Sequence, residues 1–324
     1  LPTAVSEMRD VIRILPNREL YHDNLALYSA YSGDFAGVEE QVKAMPAPGM
    51  FALFARALAE LGQGRLADAA RTYQSLPEAD KEEGPSFMAA GLGDLAIYEG
   101  RYADAVKLLT PAAAADEKAK SPDKAANKHL QIGYANLQRS QKAAAIAAAE
   151  KALAISQTAR ARFLAARILL AAGATAKAEK VAIGLSAEVL AEPQAYGQII
   201  EGLRALSVGN HKLAIKHIEE ANGQFETWLG HFDLGRAYLA ARFHLQADSE
   251  FDRCLKKKGE ALSIFLDEEP TFGYFPAVFY YQGLVREGMK SLSFADSYKA
   301  YLQIRGASKE DALAGDARKR VSQK

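Results

Sequence analysis

The residues of this 324-residue chain best suited to chemistry are six histidines, one cysteine and several neighbouring acid pairs. His22, His129, His211, His217, His231 and His244 supply no HExxH. No two of them stand at the i,i+4 spacing that turns two imidazoles to one metal ion. His211 and His217 are six apart, on different sides of a helix. Cys254 is alone, which excludes an internal disulfide and a cysteine-built zinc site. There is no GxSxG elbow and no Walker loop. Asp233-Leu234-Gly235 mimics the metal-binding tripeptide of a protein kinase, but no HRD loop or VAIK strand accompanies it. The acid pairs Glu39-Glu40, Glu82-Glu83 and Glu219-Glu220 read as solvated helix faces. Arg167 and Arg236 stand out as long cations among Leu and Ala. A guanidinium suits bidentate capture of a carboxylate, and the alternative is an ion pair inside the protein. The tract Tyr274, Phe275, Phe279, Tyr280, Tyr281 reads as core or as a sticky patch for a partner. No catalytic residue, cofactor or metal is expected.

The charge balance points the same way. Forty Lys and Arg face forty Asp and Glu, so the formal net charge is zero. A nucleic-acid binder needs a basic surplus to neutralise phosphates, and a membrane-surface module needs a polybasic patch. Neither is present. No run of 18 apolar residues offers a membrane span. One cysteine leaves the cytosol and the periplasm equally open. Alanine, at 63 residues, is the anomaly. It is the best helix former and the smallest residue with a Cβ, so it predicts closely packed helices.

An internal repeat organises those helices. In Gly93-Asp94-Leu95-Ala96-Ile97-Tyr98-Glu99-Gly100-Arg101-Tyr102-Ala103-Asp104-Ala105, a helix with a small residue meets a Gly turn. A second helix then opens on an aromatic, with Ala three residues later. This resembles the tetratricopeptide repeat (TPR), which has about 34 residues and small side chains at positions 8, 20 and 27. Position 20 falls at Ala4, Val38, Ala69, Ala105, Ala145, Ala178, Ala214, Ala247 and Ala295. The turn residue five places earlier is Gly33, Gly64, Gly100, Ser140, Gly173, Gly209 and Arg242. Cys254 takes position 27, a small buried site. Position 8 faces position 20 across the helix pair, so only small residues let the backbones approach. Neither helix buries its apolar stripe alone, and the pairs stack.

The resemblance implies an all-α, right-handed superhelical solenoid of antiparallel helix pairs, about eighteen helices in one domain. Residues 1–16 form a half repeat, 17–255 regular repeats, 256–275 an inserted segment, 276–308 the last repeat, and 309–324 a polar capping helix. An opening half repeat implies a part upstream of Leu1. Two spacings depart from the rule. One reads as a longer second helix and a polar loop across 112–128; the other is the insert, whose aromatics are expected to tuck against a neighbouring hairpin. The first helix of each pair lines the concave groove at positions 2, 5, 9, 12 and 13. By register these include Asp94, Tyr98, Tyr134, Gln138, Phe163, Arg167, Phe232, Arg236 and Tyr280. A protein or peptide segment is the expected partner. The Lys and Asn pattern of the family's carboxylate clamp is not reproduced at positions 5 and 9.

Two strings go further. Leu25-Ala26-Leu27-Tyr28-Ser29-Ala30-Tyr31-Ser32-Gly33-Asp34-Phe35 is one; Phe265 to Thr271, followed by Tyr280 to Gly288, is the other. They resemble the TPR region C-terminal to the catalytic domain of bacterial eukaryotic-like serine/threonine protein kinases. That resemblance implies a sensor or regulatory arm of a signalling protein whose parent is tethered to a membrane. No kinase residue is carried over, because the catalytic domain is absent. The alternatives are the effector arm of a TPR-containing transcriptional regulator and a free-standing TPR adaptor.

Overall fold

The computed structural model describes residues 1–266 and 268–322. Asp267, inside the quoted insert, and the last two residues of the 309–324 cap lie outside them. The described residues form eighteen α-helices and no strand. The chain is an all-α solenoid of helix pairs, divided into two compact units.

The first unit comprises 1–95 and 257–273. It holds α1 (Pro2–Ile14), α2 (Glu19–Ser32), α3 (Phe35–Ala44), α4 (Met50–Gly62), α5 (Leu66–Ala79) and most of α6 (Gly84–Tyr98). Helices α1 to α5 each pack on the next, and α2 also packs on α4. Most of the insert, from 257 to 273, lies within this unit. The backbone of Gly259 presses so closely on the end of α2 that a Cβ there would fall 2.5 Å from the Gly33 nitrogen. Lys258 donates from Nζ to the Gly62 carbonyl at the end of α4 (3.1 Å) and stands over the Phe35 ring. A cation at a helix C-terminus is favourably placed against the helix dipole.

The second unit comprises 96–256 and 274–324. Its helices are α7 (Tyr102–Lys118), α8 (Pro122–Gln138), α9 (Lys142–Ile155), α10 (Ala159–Ala172), α11 (Thr175–Ser186) and α12 (Ala191–Ser207). They continue with α13 (His211–Gln224), α14 (Trp228–Ala240), α15 (His244–Lys256), α16 (Ala277–Gly288), α17 (Phe294–Arg305) and α18 (Ala312–Ser322). Each packs on the next, while α8, α10, α12, α14 and α16 also pack in sequence on one another. The first helices of the pairs therefore form one continuous inner layer.

Local chemistry sets these boundaries. All seven turn residues of the repeat have positive φ, from Ser140 at +60° to Gly173 at +93°. Left-handed backbone turns a helix back on itself and suits Gly, so Ser140 and Arg242 hold the same turn at a local cost of about 1 kcal/mol. Position 20 is fully buried from Val38 to Ala295. A Cβ added to Gly235, at position 8, would fall 2.7 Å from the Phe251 ring, which lies four residues after Ala247. The small residue thus makes room for the side chain at position 24 of its partner helix. Cys254 is buried, with Sγ against the Trp228 carbonyl, and Trp228 donates Nε1–H to the Cys254 carbonyl (3.1 Å).

Within 112–128, α7 runs to Lys118 as a second helix of 17 residues, and a three-residue loop leads to α8, where Pro122 occupies the first turn and its missing N–H costs nothing. The last helix begins at Ala312, not Lys309, because the Asp311 carboxylate accepts from the amides of Leu313 (2.9 Å) and Ala314 (3.3 Å). Two basic residues of the cap, Arg318 and Arg320, bond to the chain. Arg318 donates to the carbonyls of Gly306 and Ser308, and Arg320 pairs with Asp316 and Glu287.

The second unit closes on itself. Arg305, 1% exposed, donates to the carbonyls of Tyr98 (3.0 Å) and Ile97 (3.1 Å), to the Tyr102 hydroxyl (2.9 Å) and to Asp311 (3.3 Å). Ser308 donates to the Gly100 carbonyl (2.6 Å). Glu310 accepts from the Ala103 amide (2.9 Å) and from Arg139 (2.8 Å). Residues 305–311 are joined in this way to 97–103 and the end of α8. An open groove is replaced, in this unit, by a ring.

Candidate functional site

Inside the ring lies a cavity of about 290 Å³. Position 9 of four successive pairs reaches it, through Tyr134, Arg167, Leu203 and Arg236. The repeat spacing brings equivalent positions of the inner helices side by side, so one register position becomes one wall. Gln138, Phe232, Tyr274 and Tyr281 complete the polar and aromatic lining, and Arg305 and Leu313 supply the side made by ring closure.

Its electrostatic centre is Asp233, which is completely buried. Arg167 reaches it with two nitrogens, Nη1 to Oδ2 and Nη2 to Oδ1, the latter at 3.2 Å. Arg236, one turn along the same helix, donates Nη1–H to Oδ1 (2.9 Å). Both guanidiniums are also laid over aromatic rings. Arg167 lies 5.3 Å from the Phe163 centroid, and Arg236 lies 5.8 Å from Phe232 and 5.4 Å from Tyr281. Burial works to lower the Arg236 pKa, but Tyr281 and Asp233 outweigh it and raise it above the ordinary value. The Tyr134 phenol is pushed up, chiefly by burial; Arg305 opposes the shift and Asp311 adds to it.

The nine groove residues read from the register separate into two sets. Tyr134, Gln138, Arg167, Phe232 and Arg236 meet at the cavity. Phe163 is core, stacked on Tyr196 at 4.4 Å, with Arg167 resting on it. Tyr280 is buried against Tyr298 and Tyr301, and its hydroxyl donates to Asp316 (2.7 Å). Tyr98 is buried and offers its carbonyl to Arg305. Asp94 belongs to the first unit, where it accepts the backbone N–H groups of Phe272 (3.0 Å) and Gly273 (2.8 Å). The aromatic tract is largely core: Phe275 packs against Trp228 and Phe279, while Tyr274 stands 4.6 Å from Tyr134. Its exceptions are Tyr274 and Tyr281, which line the cavity.

Sequence reading missed Asp233 as the brace of both arginines, and Arg305 and Leu313 as lining. The i,i+3 spacing of Asp233 and Arg236 carries a signal for the first. Nothing periodic carries one for the others. A wider recess of about 830 Å³ lies beside Arg139, Ser140 and residues 306–318. Its Arg139, Glu310 and Arg318 already bond within the ring closure. Among the described residues no group of His, Cys, Asp or Glu is arranged to hold a metal ion, and no helix is long and apolar enough to cross a membrane.

No protein-family model and no curated protein matches the chain. Solved structures do. A human IFIT1 dimer with PPP-AAAA is 15% identical at a TM-score of 0.52, over 98% of this chain and 76% of that one. A tetratricopeptide repeat protein from Parabacteroides merdae is 11% identical at a TM-score of 0.47, over 85% of this chain and 99% of that one. A chain of the APC/C hetero-tetramer Cut9–Hcn1 is 13% identical at a TM-score of 0.44 over 98% of this chain, which spans about half (52%) of its length. At these identities the likeness to IFIT1 concerns the fold alone.

Proposed function

We propose that the chain is a non-catalytic protein-interaction module, and that a segment of a partner protein docks at the cavity of the second unit. One observation carries this reading: Arg167 and Arg236 share Asp233 beside Phe232, Tyr134 and Gln138. Arginine and aromatic side chains are the types most often found as interface hot spots. Here they are held rigid before any partner arrives, which lowers the cost of ordering them. Phe163, Tyr196 and Asp233 act as the support. The test is a crosslinking capture with the whole chain. Arg167→Ala together with Arg236→Ala releases captured partners, whereas changes at exposed outer residues such as Lys216 leave them bound; the opposite pattern overturns the reading.

The wider context follows the two resembling strings. The module serves as the C-terminal sensor or regulatory arm of a bacterial serine/threonine protein kinase, soluble itself, cytoplasmic or periplasmic, with a membrane-tethered parent. The alternative is the effector arm of a transcriptional regulator or a free adaptor. The sequence of the full gene decides between them. Kinase motifs followed by one apolar span support the first, and a winged-helix domain supports the second.

A further inference from the structure

The cavity carries more charge than its walls balance. Asp233 is one carboxylate, shared by two guanidiniums. Arg305 is matched by Asp311. Three cations against two carboxylates leave one positive charge among the described residues that line or back the cavity. That charge sits on groups with donors to spare. A guanidinium has five N–H groups. Arg167 spends two on Asp233, and Arg236 spends its bonds on Asp233 and Tyr281. Arg305 is different: it is fully enclosed and committed to Tyr98, Ile97, Tyr102 and Asp311. The receptive cations are therefore Arg167 and Arg236. Their side chains keep 12% and 30% exposure, against none for the Asp233 between them.

The rest of the wall is mostly apolar or aromatic, with Phe232, Tyr281, Tyr134, Ile168, Leu203 and Leu313, and Gln138 and Ser207 add polar groups. A void of about 150 Å³ is enough for one benzene ring. A cavity of about 290 Å³ holds one ring or branched aliphatic group, a short link and one charged group. It is too small for a folded peptide. One excess positive charge matches one carboxylate, whereas a dianion leaves a buried negative charge unpaired. The planar fork of arginine fits a carboxylate with two parallel hydrogen bonds.

We infer that the cavity receives a single carboxylate carried on a compact aromatic or branched apolar body, held by Arg167 and Arg236. This rests on the reading of the cavity as the module's binding site. The chemistry has two sources, a free small carboxylic acid or the C-terminal residue of a partner segment, and both present the same group.

Trp228 is the chain's one tryptophan and stacks on Phe232 at 5.7 Å, so its fluorescence reports on the cavity wall. The whole chain is titrated with phenylacetate, with phenylacetamide, with acetate, and with a tetrapeptide ending in Phe as the free acid or the amide. The expected result is saturable binding of phenylacetate or of the free-acid tetrapeptide. Phenylacetamide and acetate, or the tetrapeptide amide, bind at least about tenfold more weakly, because a charge-assisted bond or the apolar body is lost. Arg236→Gln weakens the bound acid roughly ten- to hundredfold, Arg236→Lys less, and Lys216→Gln not at all. Arg236→Gln keeps the Arg167–Asp233 pair, and a far-ultraviolet circular dichroism melt verifies that it folds. Saturation by phenylacetate alone identifies a free acid as the source, and by the tetrapeptide alone a chain terminus. Equal binding of acid and amide overturns the inference, as does no binding by any probe. Those results leave the interaction reading intact if the double arginine variant still loses its captured partners. Conversely, acid binding with every partner retained by that variant defeats the interaction reading and leaves the cavity chemistry standing.

Discussion

Asp94 and Asp233 stand on the first helix of their pairs, one in each unit, and both carboxylates are buried. Their partners differ. Asp94 faces the backbone amides of Phe272 and Gly273 and so fastens the insert within the first unit. Its negative charge is met by dipoles that belong to a fixed backbone, and its acceptor capacity is committed to architecture. Asp233 faces two guanidiniums, which bring more charge than it can cancel. The same side chain, about one helical turn apart in the repeat, closes one surface and primes another. The number and charge of the donors decide which, since burial is similar.

The comparison breaks most sharply at Asp233. Asp233→Ala leaves Arg167 and Arg236 facing each other without their shared carboxylate. Removing one partner of a buried pair costs about 3–5 kcal/mol. Urea denaturation followed at Trp228 reads this loss, and a change below about 1 kcal/mol contradicts the bracing role. Asp94→Ala strands two buried amides, at a cost of about 2–3 kcal/mol. The loss falls on the insert, so amide hydrogen exchange quickens at Phe272 and Gly273 while the α14 amides keep their protection. Quickening spread equally over both units contradicts the local role.

A third buried carboxylate sharpens the contrast from below. Asp23 has neither kind of support at Oδ1, which lacks a hydrogen-bond partner among the described residues. Burial, with Glu19 adding to it, raises its pKa from 3.8 to about 6. The folded state then binds the proton more tightly than the unfolded chain. The stability this contributes is complete below about pH 4 and is lost as pH rises to about 6. Asp23→Asn therefore stabilises the protein on the order of 1–2 kcal/mol at pH 7 and changes little at pH 3.5. Equal effects at the two values contradict the assignment.

The helix pairs were legible because what builds them is local and repeated. Gly33, Gly64 and Gly173 mark turns that need left-handed backbone, and Ala69, Ala145 and Ala247 mark contacts that admit nothing larger. Position 9 was legible for the same reason, so Tyr134, Arg167 and Arg236 were found together. Position 5 misled in part. Phe163 and Tyr280 have the right register, but neighbouring rings bury them. Ring closure left no trace in the sequence. Arg305, Ser308 and Glu310 meet partners about two hundred residues away, and each occurs once, so no period announces it.

An open stack of hairpins tolerates gene duplication: one more repeat lengthens it and disturbs only the neighbours. The second unit has no such freedom. Its pairs must together turn the chain until Ser308 reaches Gly100 and Glu310 reaches Ala103. One duplicated or deleted pair between α8 and α16 would carry these residues past each other and expose the donors of Arg305. Its repeat number is thereby fixed, and change is channelled into side chains at existing positions.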